Sequence, residues 1–175
     1  YIIFRIKKIL PETMKKPGII MIVLVILQGI MGWYMVQSGL VDTPHVDHIR
    51  LAFHLSLALL LLQYTIWNFL SLNLKNYKQN KNKGLILFCR NVTIILVIQI
   101  IYGAFTAGLK AGYGYNTYPT MSGEWLPIAA LQMIPFAKNL IYNSVMIQFL
   151  HRMFGVLLVA CVVVLVLIIE KSQSN

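Results

Sequence analysis

Two histidines and two arginines hold the positions hardest to explain by solubility or core packing. His54 and His151 each fall inside an apolar stretch; Arg50 stands four residues before the first, and Arg152 adjoins the second. An ionisable group in an apolar phase is costly, so each is a functional candidate by default. A neutral imidazole is a good ligand for haem iron, and a helix that carries one must leave room for a flat macrocycle. The residue one helical turn beyond each histidine is small: Ala58 after His54, Gly155 after His151. Either arginine could pair with a propionate. The plainer readings are an interhelical hydrogen bond for each histidine and a headgroup anchor for Arg50, whereas Arg152, inside a helix, needs a partner or a snorkelling path.

The elements that position these residues are apolar helices. The 175 residues are 58% hydrophobic and 11% charged; a soluble domain carries about 25% charged residues, so a water-facing globule is excluded. Mean hydropathy is +0.72. Apolar runs of about 20 residues, long enough to cross a bilayer, are expected at 18–36, 51–74, 91–109 and 145–169. Pro17 would sit at the start of the first, where a proline is tolerated. The expected fold is all-α, a polytopic membrane helix bundle forming one membrane domain over 1–175.

The net charge of +10 would suggest nucleic acid in a soluble protein, but the basic residues lie between apolar runs, and topology explains them better. Arg5, Lys7, Lys8, Lys15, Lys16, Lys75, Lys78, Lys81, Lys83, Arg90 and Lys171 fall on one side; Arg50, Lys110, Lys138 and Arg152 fall on the other. This division predicts cytoplasmic ends and an outward-facing segment over 110–144. His54 lies about one turn, and His151 nearly two, from the outer ends of their helices, which puts both imidazoles in the outer third of the bilayer.

The outer segment carries Tyr113, Tyr115, Tyr118 and Trp125, and an apolar stretch from Leu126 to Phe136. Its aromatics read either as interface anchors or as part of a lid over something bound between the helices. A weak internal echo links the first and third runs: Gln28, Gly32 and Gly39-Leu40 recur as Gln99, Gly103 and Gly108-Leu109. Close helix packing or a duplicated bundle would produce it. His45 and His48 have the H-x-x-H spacing near Asp42 and Asp47; solvated turn residues are the preferred reading over a metal site, with Asp47 also placed to favour a helix start. Cys89 and Cys161 lie at different depths and indicate neither a disulfide framework nor a metal site.

Taken in order, Gln28-Gly29-x-x-Gly32-Trp33-Tyr34-Met35-Val36-x-Ser38-Gly39-Leu40 and Arg50-Leu51-Ala52-x-His54-Leu55 resemble the haem A synthase family. The resemblance continues in Gly103-Ala104-Phe105-x-Ala107-Gly108-Leu109-x-Ala111-Gly112, in Tyr115-Asn116-Thr117-Tyr118-Pro119-x-Met121-x-Gly123-x-Trp125-x-Pro127, and in Gln148-Phe149-x-His151-Arg152. It is closer to the mitochondrial and alphaproteobacterial branch than to the branch with paired cysteines in its outer loops. It implies eight helices in two similar halves, each holding a haem between histidines on two helices. The activity implied is oxidation of a ring methyl of haem O to a formyl group, giving haem A for terminal oxidases, with haem b in the other half. The four helices here would be the third to sixth. His54 and His151 would be axial ligands in different pockets, with Arg50 and Arg152 as candidate propionate partners.

By the same resemblance, the first two and last two helices are missing, together with the partner histidines and an outer-loop glutamate thought important for the chemistry. The chain opens on Tyr1, and residues 1–4 read like the end of an earlier helix, so a central fragment, inactive by itself, is expected. No catalytic residue is assigned. The expected location is a bacterial cytoplasmic membrane, or the inner mitochondrial membrane in a eukaryote. Membrane lipid is the expected surrounding; a haem O synthase or electron donor and a second copy of the chain are candidate partners, and nucleic acid is not. The rival functions are a b-type cytochrome subunit that only passes electrons, and a haem-free transporter or assembly factor whose histidines line a polar path.

Overall fold

The computed structural model describes residues 2–9, 11–37, 46–74 and 82–173. Four long helices carry the fold: α2 (Glu12–Val36), α3 (His48–Asn73), α4 (Lys83–Gly108) and α6 (Ser144–Gln173). Two short ones, α1 (Ile2–Ile6) and α5 (Ala137–Tyr142), precede α2 and α6. Each long helix is long and apolar enough to cross a membrane, and the chain is a multi-pass, all-α membrane protein.

Polar caps rather than hydropathy set the helix starts. The Asp47 carboxylate accepts from the backbone N–H of Ile49 and Arg50, at 3.0 and 2.9 Å, and opens α3 where an N-terminal acid is favoured. Asn82 caps α4 through Leu85 N–H at 3.2 Å, and Asn143 caps α6 through Val145 and Met146 N–H. α4 therefore begins about two turns before its apolar run, and α2, whose N-cap Pro11 makes no side-chain cap bond, also begins well before its own, at Glu12. Pro17 lies inside α2 rather than at its start. These extra turns carry Lys15, Lys16 and Arg90, whose long stems can reach the membrane surface; Lys15 pairs with Glu12.

The helices stand in chain order: α3 packs on α2 and α4, and α4 packs on α3 and α6. Arg50 meets Tyr34 while Thr65 meets Met21, so α2 and α3 run antiparallel. Small residues, Ala52 and Ala104 among them, are buried where helices cross, as expected when packing between membrane helices depends on close backbone approach. The tightest crossing joins α3 to α4: a Cβ on Gly108 would lie 2.6 Å from His48 Cβ and 2.7 Å from its Cα. Ile26, Phe53, Trp67, Val159 and Leu167 face outward, as lipid-facing residues should.

The segment between α4 and α6 is built, not slack. Lys110 turns the chain at a positive φ of 51° after α4. Two 3-10 turns, Ala111–Tyr113 and Ile128–Leu131, and α5 follow. Met121, 1% exposed, is held by a bridge to Glu124. Buried Asn139 donates to the Met133 carbonyl and accepts from Met133 N–H and the Asn143 amide, while Asn143 also donates to the Ala129 carbonyl. These bonds satisfy backbone groups that would otherwise be stranded in a region without ladders.

Candidate functional site

The echo between α2 and α4 has a structural counterpart. Gly32 on α2 faces the ring of His54 on α3: a Cβ there would lie 3.2 Å from His54 Cε1. Gly103 on α4 faces the ring of His151 on α6 at the same 3.2 Å to Cε1. Each imidazole therefore rests on a glycine of the neighbouring helix, and any larger residue would push it away. One turn before each glycine is a glutamine. Gln28 Nε2 stands 3.3 Å from His54 Nε2; Gln99 lines a groove with His151, and a Cβ on Gly155 would meet Gln99 Nε2 at 3.2 Å. The space left by Gly155 thus admits the neighbouring glutamine, a use its spacing from His151 did not reveal. His54 Nδ1, His151 Nδ1, and the Oε1 atoms of Gln28 and Gln99 are buried without a partner.

The groove beside His151 has a volume of about 580 Å³ and is lined by Gln99, Tyr118, Arg152, Gly155, Val156 and Val159. That is within the range of small-molecule and cofactor sites, roughly 300–1,000 Å³. Its wall is largely aliphatic; Arg152 and Tyr118 stand towards the loop, and Gln99 lies deeper, against Gly155.

Both arginines have partners that sequence spacing did not disclose. Arg152 donates from Nη1 to the Thr117 carbonyl at 2.7 Å and from Nη2 to the Tyr115 carbonyl at 2.6 Å. Gln148, one turn earlier on α6, donates to the same Tyr115 carbonyl at 2.9 Å. Together they clamp the loop onto α6 and set Tyr118 at the edge of the groove. Arg50 donates to the Tyr34 carbonyl at 3.0 Å, with its guanidinium 4.0 Å above the Tyr34 ring, and so ties the ends of α2 and α3. A guanidinium has more N–H donors than these bonds use, so neither arginine is exhausted by them.

His48 corrects the solvated-turn reading. It is buried, its Nε2 lies 2.8 Å from the Ile141 carbonyl, and its ring meets Phe105 and Tyr142 edge-on. The α3 start is pressed against α4 and α5, which removes His48 from water. His45 and Asp42 lie outside the described residues; among the described ones no cluster of three or more His, Cys, Asp or Glu could hold a bare metal ion. The aromatics of the loop divide: Trp125 is 65% exposed and Tyr113 faces outward, whereas Tyr118 borders the His151 groove. Gln28 and Gln99 are site residues that the sequence showed only as a repeat.

The arrangement defines a class: a polytopic helical membrane protein with two imidazole sites on successive helix pairs, one beneath a structured loop. The chain belongs to the COX15-CtaA family of cytochrome oxidase assembly proteins, whose model matches residues 1–175. It is similar to the haem A synthases of Ehrlichia canis (39% identical, 98% of this chain and 50% of the relative) and Wolbachia pipientis from Culex pipiens (37%, 94% and 50%). It is also similar to that of Flavobacterium johnsoniae (38% identical, 100% of this chain and 53% of the relative). The chain thus spans about half the length of the curated relatives it matches. No solved structure matches it.

Proposed function

We propose that this chain forms part of a haem A synthase, the oxidoreductase that converts a ring methyl of haem O to a formyl group and yields haem A. The observation that carries the reading is the His151 groove: an imidazole seated on Gly103 beside an apolar wall, under a clamped loop, with the same glycine-seated histidine repeated at His54. The residues fit a haem. Two imidazoles, each with a buried Nδ1 that has no partner, and at His151 a largely aliphatic groove of cofactor size suit an iron porphyrin better than a hydrated ion.

His54 and His151 would each hold a haem through the iron, one site serving haem O and haem A and the other haem b. Bound haem would supply the redox-active iron. The chain's own residues do the rest. Gly32 and Gly103 set the imidazoles, and Val156 and Val159 exclude water from the His151 groove. Arg152 and Gln148 hold the loop down, which keeps Tyr118 at the groove edge. The remaining N–H groups of Arg50 and Arg152 would meet the propionates at the loop end of the bundle, the end that carries the fewer basic residues and so faces away from the cytoplasm. The cytoplasmic membrane of a bacterium is the proposed location. A haem O synthase that supplies the substrate and a redox protein that exchanges electrons are the proposed partners.

Purification from native membranes, followed by optical spectroscopy and extraction of the bound haem, tests the reading. A Soret band with haem O or haem A among the extracted species is the expected result. Haem b alone would mean a b-type electron carrier. Absence of a Soret band would remove haem from the account and leave a polar path through the helices.

A further inference from the structure

The two histidine sites share their glycine but not the state of their glutamine. Gln28 Nε2 lies 3.3 Å from His54 Nε2, across the α2–α3 crossing. The ring rests on Gly32, which leaves no room to turn away on that side. Whichever way the amide is oriented, one hydrogen-bonding position on the ring is spent on Gln28, and it is the Nε2 position, through which an imidazole commonly binds a metal. The other ring nitrogen, Nδ1, is buried without a partner, and so is Gln28 Oε1. At the second site the Gln99 amide sits in the space left by Gly155.

We infer that Gln28 is the partner His54 takes when no haem is bound, a placeholder that iron displaces from Nε2. The inference rests on the proposed haem-binding role of His54, taken as the site that serves haem O and haem A. A haem that is a substrate must leave at the end of each turnover, and the imidazole it leaves is then a buried polar group in an apolar phase. An unpartnered group of that kind is costly. Gln28 removes that cost from the empty site and thereby weakens net haem binding by the same amount. It is a positioning residue, acting on His54 and not on the reacting atoms.

The test uses the full-length protein that contains this chain, purified in detergent and titrated with ferric haem b as the probe. Gln28→Met keeps the side-chain length and removes the hydrogen bond. The expected result is haem binding at the His54 site tighter by about fivefold, with a lower melting temperature for the haem-free protein and none of that loss in the loaded one. Ile26→Met, on the outward face of α2 and away from both histidines, is expected to leave haem affinity unchanged. A signature that needs no variant is the 15N resonance of His54 Nε2, expected to report a hydrogen bond in the haem-free wild type and to lose it on loading. Unchanged or weaker haem binding in Gln28→Met, or a His54 Nε2 without a hydrogen bond in the haem-free protein, would overturn the placeholder role while leaving the haem sites standing. A full-length wild-type protein that binds no haem would overturn both.

Discussion

At His54 the glutamine of the neighbouring helix reaches the imidazole, whereas at His151 it lies against Gly155 and the ring opens on a groove. Both rings sit on a glycine at the same distance, so the difference arises around the seat and not in it. The connections differ most. Few residues separate α3 from α2 in the chain, and Arg50 joins the two helix ends through Tyr34. α6 follows α4 after a long folded segment, and Arg152 with Gln148 grips that segment by its carbonyls. A repeated pair of helices can thus be finished as a closed contact or as a roofed groove by the length of the connection above it.

The largest test of that comparison is removal of each imidazole. His151→Ala should abolish one haem signal in optical and electron paramagnetic resonance spectra, and His54→Ala the other, each leaving its counterpart in place. Loss of both signals from either variant would break the separation into two sites. Next in size is Gly108→Ala at the seam between the helix pairs. The new Cβ would meet the Cβ and Cα of His48, and neither helix backbone can yield cheaply, so a destabilisation of about 3 kcal/mol is expected in thermal unfolding. Smaller is the loosening of the roof. Arg152→Gln combined with Gln148→Leu removes bonds to the Tyr115 and Thr117 carbonyls and should raise amide exchange in the loop by roughly tenfold or more. Arg50→Gln should leave loop exchange unchanged; equal effects would mean that the arginines do the same work.

The smallest effects concern the seats themselves. Gly32→Ala and Gly103→Ala place a methyl 3.2 Å from a ring carbon and should each cost about 1 kcal/mol, with a shift in the haem spectrum of the affected site only. Gly29→Ala, which meets nothing within 4 Å, should stay within about 0.5 kcal/mol of wild type. A spectrum that moves as much for Gly29→Ala as for Gly32→Ala would show that the glycines do not seat the rings.

Much of this was legible in the chain. Four apolar runs marked the four long helices, and His54 and His151 stood out because an imidazole is expensive in such a run. The Gln-x-x-x-Gly echo marked the seats without saying what they held. His48 was misread because its neighbours in sequence are polar and turn-like, while its burial comes from Phe105, Ile141 and Tyr142, far away along the chain. Arg152 was seen to need a partner, but its partners are backbone carbonyls, which leave no mark in residue identity.

Hydropathy, periodicity and charge are sums over neighbours in sequence, so the sequence by itself determined that this is a membrane protein, how many times the described helices can cross, and which two imidazoles lie within their apolar runs. Which side chain meets which depends on helices that are distant in sequence and on the rotation each adopts against the next. Only the tertiary structure decided that glycines seat the histidines, that Gln28 holds one ring and Gly155 makes room for Gln99, and that an arginine within a membrane helix spends its charge on holding a loop. A contact between helices is set by packing over many residues at once, and no single local pattern records it.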